Sequence, residues 1–207
     1  MKLYTFYSET HRELYEIFIK SLNMTNPNIS TKVDIFNQTG NGVFMEKGWG
    51  DMMSNKLDQI IRACEIGEIF IHSDSDVYFL GNFEERIISE LGNYDIAFQD
   101  DNPSLCMGFF ICNPNVKVTE MFKRVKSLLN RFNGHDQNAM NSIISNSGVK
   151  YKKLSHLFFS YGQKNKGVWN GEEFDVNKDI LVFHANWVVG TENKKRIIEY
   201  VANKIEQ

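Results

Sequence analysis

The sequence predicts an α/β fold: a single domain whose mostly parallel central sheet is flanked by helices. Three observations carry this. Strand-like and helix-like stretches alternate β-α-β-α-β through the first third of the chain, the pattern that builds parallel sheets. The stretch "EIFIHS" is apolar enough to want burial yet runs straight into "DSD". No internal repeat or low-complexity linker interrupts the 207 residues, so one domain over 1–207 is expected.

In chain order, "KLYTFY" reads as a buried strand, and Leu14, Ile17, Phe18 and Leu22 then recur at helical spacing. "KVDIF" is a second strand. "NQTGNGVFMEKGWGD" is too glycine-rich for a regular element and reads as a loop over a site, with the Gly40–Gly50 stretch and Trp49 as a lid. Leu57, Ile60, Ile61 and Cys64 form the stripe of a helix that Gly67 terminates. "EIFIHS" is the third strand, and "YDIAFQ" and "SLCMGFFICN" are further strands. Met121, Val125, Leu128, Leu129 and Phe132 mark one helix, and Met140, Ile143 and Ile144 another after "GHDQ". "HLFFSYG" and "DILVFHANWVVG" are late strands around a polar segment from Gln163 to Asp179, whose Trp169 suggests a wall beside the site. Ile197, Ile198, Val201 and Ile205 line the last helix.

Composition narrows the function. A net charge of −3, from 23 basic against 26 acidic residues, gives no field that would gather nucleic acid. Cys64, Cys106 and Cys112 are odd in number and lack CxxC spacing, as expected of buried thiols in a reducing compartment. "MKLYTFYSET" lacks the apolar run of a signal peptide, and no window is apolar enough for a membrane span. A cytoplasmic location is expected, for a free chain or for a domain of a larger protein.

The chemistry concentrates in "EIFIHSDSDVYFL". Asp74 and Asp76 sit one residue apart at the end of a strand, where parallel α/β sheets bind ligands. Two oxygen donors at that spacing can share a hard divalent cation, which cancels their repulsion and takes further oxygens from a phosphorylated substrate. A solvated turn capped by aspartates would show the same three letters. An EF-hand starting at Asp74 would need glycine where Phe79 stands. A phosphatase of the haloacid dehalogenase type would place its pair after the first strand, and Tyr78 would be threonine or valine.

With those residues in view, the chain resembles nucleotide-sugar-dependent glycosyltransferases of the GT-A (Rossmann-like) fold. The similarity is to retaining members such as glycogenin and bacterial galactosyltransferases, and it spans roughly residues 2 to 190. Beside the strand–DxD layout, "LCMGFFICNPN" resembles their glycine-containing strand beside the donor sugar. "HDQNAMNSII" resembles the helix-opening segment near the anomeric carbon, and "VFHANWVVG" the histidine segment that completes the metal site.

The resemblance implies that Asp76 and His184 ligate Mn²⁺ or Mg²⁺, with Asp74 on the metal, the ribose or both. Imidazole suits Mn²⁺ better. It implies base and donor contacts from Thr5, Phe6 and Tyr7, a basic residue toward the diphosphate in Lys56, and donor contacts at Ser75 and Gly108. Asp136 would hold donor hydroxyls and Gln137 would lie near the anomeric carbon, so both are the expected catalytic pair. The late basic residue of the family has no clean match, since Lys194 and Lys195 lie further along and the G-x-K-P-W ending is missing. The implied reaction moves a hexose from a UDP-sugar to a glycan or other hydroxyl acceptor with retention, without nucleic acid and without a membrane span. An inverting route would need a base such as Asp100 or Asp101. A nucleotidyltransferase, a metal-dependent phosphohydrolase and a non-catalytic nucleotide-sugar-binding module use the same carboxylates. Small virus-encoded or bacterial transferases of this type are built as compactly.

Overall fold

The structure, a computed structural model, describes residues 1–38, 47–164 and 166–206. Its elements are β1 (Lys2–Ser8), α1 (Arg12–Thr25), β2 (Ser30–Phe36), α2 (Trp49–Ile66), β3 (Phe70–Ser73) and β4 (Val77–Phe79). Then follow α3 (Glu84–Leu91), β5 (Ile96–Asp101), β6 (Ser104–Cys112), α4 (Val116–Leu128) and α5 (Asp136–Ile143). The chain ends with β7 (Tyr151–Lys153), β8 (Phe158–Ser160), β9 (Val182–His184) and α6 (Thr191–Glu206).

The expected mixed α/β architecture is present. Six strands form a central sheet in the order β2-β1-β3-β6-β5-β7, and only β6 runs against the others. Burial explains the order. Every residue of β3 is buried and all but the first of β6, so these two strands take the middle. β2 alternates exposed and half-buried residues and lies at an edge. Leu57, Ile60 and Ile61 of α2 pack with Phe110, Phe122 and Met140 on one face, and Phe18, Leu22, Ile87 and Leu91 cover the other. Gly67 closes α2 with φ 82°, a left-handed turn that a residue with a Cβ avoids. The Asn115 side chain caps α4 by accepting from the Val118 N–H at 3.1 Å.

A second sheet, β4-β9-β8, carries the late strands. Here the structure departs from the sequence reading. "DILVFHANWVVG" pairs only over Val182–His184, and Trp187 then enters a left-handed backbone conformation at φ 57°, which ends any extended run. α3 and β7 have no counterpart in the reading, because both are short and their apolar residues are too few to show a period. Among the described residues, no helix is long and apolar enough to cross a membrane. Residues 40–46 of the expected lid lie outside the described residues. Trp49 opens α2 instead and packs edge-on against His135 at 5.6 Å.

Candidate active site

Strand register assembles the site. β3 ends at Ser73 opposite Phe109, which brings Asp74 beside Gly108, whose carbonyl accepts the Asp74 N–H at 2.7 Å. After Ser75 and Asp76 the chain enters β4, where Val77 pairs with His184 of β9. That antiparallel ladder closes the long sequence gap between the carboxylate pair and the histidine. Asp74, Asp76 and His184 each offer one ligand atom, all within 4.8 Å of one another. His184 Nε2 lies 3.2 Å from Asp76 Oδ1.

The donor set fits a divalent cation, and its surroundings orient it. Gln99 donates its amide N–H to the Phe159 carbonyl at 3.0 Å, so its Oε1 faces His184 Nδ1 at 2.9 Å. A ring nitrogen held by such an acceptor leaves the opposite nitrogen free for a metal, the usual arrangement behind a ligating histidine. Burial disfavours charge on His184, but the Asp76 carboxylate outweighs it and raises the imidazole to about 10. Burial likewise opposes ionisation of Asp76, and Lys194 with His184 overcomes it, holding the carboxyl far below the usual range.

Lys56 is the structural centre of the charged floor. It is 2% exposed, and its ammonium lies 2.9 Å from Asp74 Oδ1 and 3.1 Å from Asp136 Oδ2, tying α2 to the carboxylate turn and to the start of α5. Burial disfavours the charged ammonium, but the two carboxylates reverse this and raise it well above its ordinary value. Burial also opposes ionisation of Asp74, and Lys56 with His72 brings it well below its ordinary value. His72 supports Asp74 from beneath at 3.4 Å, between the rings of Phe6 and Phe110. Burial keeps it neutral by lowering its pKa.

The other sequence-predicted residues fall as follows. Phe6, Tyr7, Ser75, Gly108, Asp136 and Gln137 all line one cavity of about 350 Å³ together with Lys56 and the three metal-ligand candidates. Thr5 is fully buried outside that lining, and its carbonyl accepts from Gln59 at 2.8 Å. Gly108 has a definite reason to be glycine: a Cβ there would stand 2.3 Å from His184 Cε1 and 2.8 Å from Asp74 Oδ2. The Gln137 amide is held at both ends. Its Oε1 accepts from the Met107 N–H at 3.2 Å, and its Nε2 donates to Asp101 at 2.5 Å.

The structure separates pairs that sequence could not. Lys194, in the first turn of α6, reaches Asp76 Oδ2, whereas Lys195 turns outward to Glu13 at 2.6 Å. Asp101 lines the cavity and accepts from Gln137, Asn186 and Trp187, while Asp100 pairs with Lys153 outside it. Trp169 is buried, with its indole N–H on the Glu172 carbonyl at 2.9 Å, and it anchors its loop rather than facing the cavity. Ser8, Thr10 and His11 also line the cavity at the end of β1, beyond the residues the sequence reading chose. Their place at the carboxyl end of a central strand was the available signal.

The chain is similar to known proteins over nearly its whole length. The family described as nucleotide-diphospho-sugar transferases matches residues 8–197. No curated protein sequence matches the chain. Among solved structures, a glycosyltransferase involved in glycosylation of the major capsid of PBCV-1 superposes with a TM-score of 0.63 at 14% identity, over 96% of this chain and 98% of that one. GlyE of Streptococcus pneumoniae gives 0.59 at 14% identity, over 97% of this chain and 60% of that one. The galactosyltransferase LgtC, solved with donor and acceptor sugar analogues, gives 0.55 at 10% identity, over 98% and 96%. At these identities the structural likeness speaks for the shared GT-A fold.

Proposed function

The chain belongs to the nucleotide-diphospho-sugar transferase family, and on that premise we propose that this glycosyltransferase moves a hexose from a UDP-sugar to an acceptor hydroxyl with retention of configuration. One observation carries the reading: three metal-ligand candidates converge within 4.8 Å, in a cavity that also presents Lys56, Lys194 and Gln137. Asp74, Asp76 and His184 would hold Mn²⁺, which the imidazole favours over Mg²⁺. A bound divalent ion supplies positive charge toward a departing diphosphate.

The chain's own residues do the rest. Lys194 bonds Asp76 Oδ2, and its ammonium would be free to meet a diphosphate oxygen if a divalent cation held that carboxylate. This supports reading Lys194 as the late basic residue that the expected spacing lacked. Lys56 holds Asp74 and Asp136 in fixed positions, so the floor needs little reorganisation when charge develops. Asp136 is placed to accept donor hydroxyls. Gln137, fixed through Met107 and Asp101, presents a preorganised dipole near the reacting carbon, which suits the positive charge that forms on the sugar ring. Asp101 is already engaged by three N–H donors, which suits a positioning role better than that of an inverting base.

The test is a panel of nucleoside diphosphate sugars with and without Mn²⁺, read by thermal shift and by slow donor hydrolysis. Stabilisation by a UDP-sugar that requires Mn²⁺ is expected. No response to any donor, beside a response to a nucleoside triphosphate, would replace this reading with a nucleotidyl-transfer one.

A further inference from the structure

Trp187 violates two ordinary expectations at once. Its backbone is left-handed at φ 57°, a conformation that bulky side chains avoid. The residue is 51% exposed, whereas Trp49 and Trp169 are buried. Backbone strain of this kind persists only where neighbouring structure enforces it, and it gathers at functional sites.

The neighbours here do enforce it. The indole N–H donates to Asp101 at 2.9 Å and 3.2 Å, and the Trp187 carbonyl accepts from the Trp169 N–H at 2.9 Å. Gly162 leaves the necessary space: a Cβ there would stand 1.5 Å from Asp101 Oδ1 and 2.9 Å from Trp187 Cδ1. Trp169, buried in its own loop, therefore serves to hold the second tryptophan at the surface.

The position of the ring gives the arrangement a purpose. Trp187 lines the same cavity as Asp76, His184 and Gln137, and Asp101 bonds both the indole and the Gln137 amide. Val168 and Val189, 41% and 45% exposed, line the cavity too. The lining thus joins charged groups, Lys56, Asp74, Asp136 and Lys194, with an exposed apolar group made of Trp187, Val168 and Val189, while the buried Asp101 carboxylate is spent on fixing the indole and the Gln137 amide. A second phosphate has no use for the indole, and a purely aliphatic ligand has no hydroxyl to receive a sugar. A pyranose offers both an apolar C–H face and a rim of hydroxyls, and aromatic rings pack well against such a face.

We propose that Trp187 is the platform of an acceptor subsite, on which a pyranoside acceptor stacks its C–H face with a hydroxyl directed toward Gln137. The subsite deepens the donor reading above and rests on it. The spacing that marks the metal site does not mark this tryptophan, because what singles it out is backbone conformation and exposure.

The protein with Mn²⁺ and UDP is titrated with the α- and β-methyl glycosides of glucose, galactose and mannose while tryptophan emission is followed. At least one glycoside should change the emission, and the change should vanish in Trp187→Phe, which identifies the reporter. With that glycoside as acceptor, Trp187→Leu should raise the acceptor KM about tenfold while the loss on the donor KM stays much smaller. Trp187→Phe, which keeps a ring, should recover most of it. The proposal is overturned if no glycoside alters emission although a UDP-sugar with Mn²⁺ raises Tm, or if Trp187→Leu leaves the acceptor KM unchanged. If no UDP-sugar raises Tm, the donor reading fails and the subsite falls with it.

Discussion

Replacing Gly108 by alanine asks why a glycine stands in the middle of a buried strand. The added Cβ would lie 2.3 Å from His184 Cε1, against an ordinary contact of at least 3.4 Å, so the ring must retreat by the difference, about 1.1 Å. It has no room to do so. The ring is 3% exposed, held by Gln99 at 2.9 Å and Asp76 at 3.2 Å, with Cys106 at 3.5 Å. Metal–ligand distances tolerate roughly 0.2 Å. A displacement several times larger should lower Mn²⁺ affinity by about 100-fold or more, beyond what loss of a supporting hydrogen bond does. Overpacking should also cost about 1–3 kcal/mol of stability. The assay is a Mn²⁺ titration in the presence of UDP, with free Mn²⁺ followed by electron paramagnetic resonance, beside urea unfolding of the same samples. If Gly108→Ala binds Mn²⁺ as tightly as the unaltered protein and loses only affinity for the donor sugar, the glycine serves sugar approach and the steric argument is wrong.

Gln99→Leu removes the acceptor behind His184 Nδ1 and should weaken Mn²⁺ about 10–100-fold in the same titration, with the rest of the donor set in place. Lys56→Met leaves the buried Asp136 and the half-buried Asp74 without their shared cation. It should cost about 3–5 kcal/mol in urea unfolding, and adding Asp136→Asn should return part of that. Glu90 concerns pH. Burial opposes its ionisation, but the Ser155 hydroxyl and N–H and the Arg86 guanidinium overcome it and set its carboxyl below the ordinary 4.5. A depressed folded-state pKa contributes stability that is present above the unfolded value and is lost as pH falls through the folded one. Glu90→Gln should therefore be less stable than the unaltered protein by about 1–3 kcal/mol near neutral pH, with the gap closing as pH drops below 4.5. A gap independent of pH would deny the carboxylate that role.

The sequence by itself determined whatever depends on neighbours a few residues apart. β1, α1, α2 and β3 follow from apolar period, and the end of α2 from Gly67, because a helix or strand states its buried face within a few turns. Asp74 and Asp76 were legible as a candidate metal pair from their spacing at a strand end, and His184 as a third candidate through its resemblance to a family segment. Only the tertiary structure decided which distant partners meet. The pairing of Val77 with His184 sets the histidine on Asp76. The turn into α6 aims Lys194 inward and Lys195 outward, and the two ends of "DD" in β5 send Asp101 to the cavity and Asp100 to Lys153. Adjacent side chains on a strand face opposite ways, so a single residue of register exchanges their roles. That register is set by packing across the whole core, and no short window of sequence contains it. Trp187 is the extreme case: its left-handed backbone and its bond to Asp101 exist only because Gly162 and Trp169, each far from Asp101 along the chain, close around the same point.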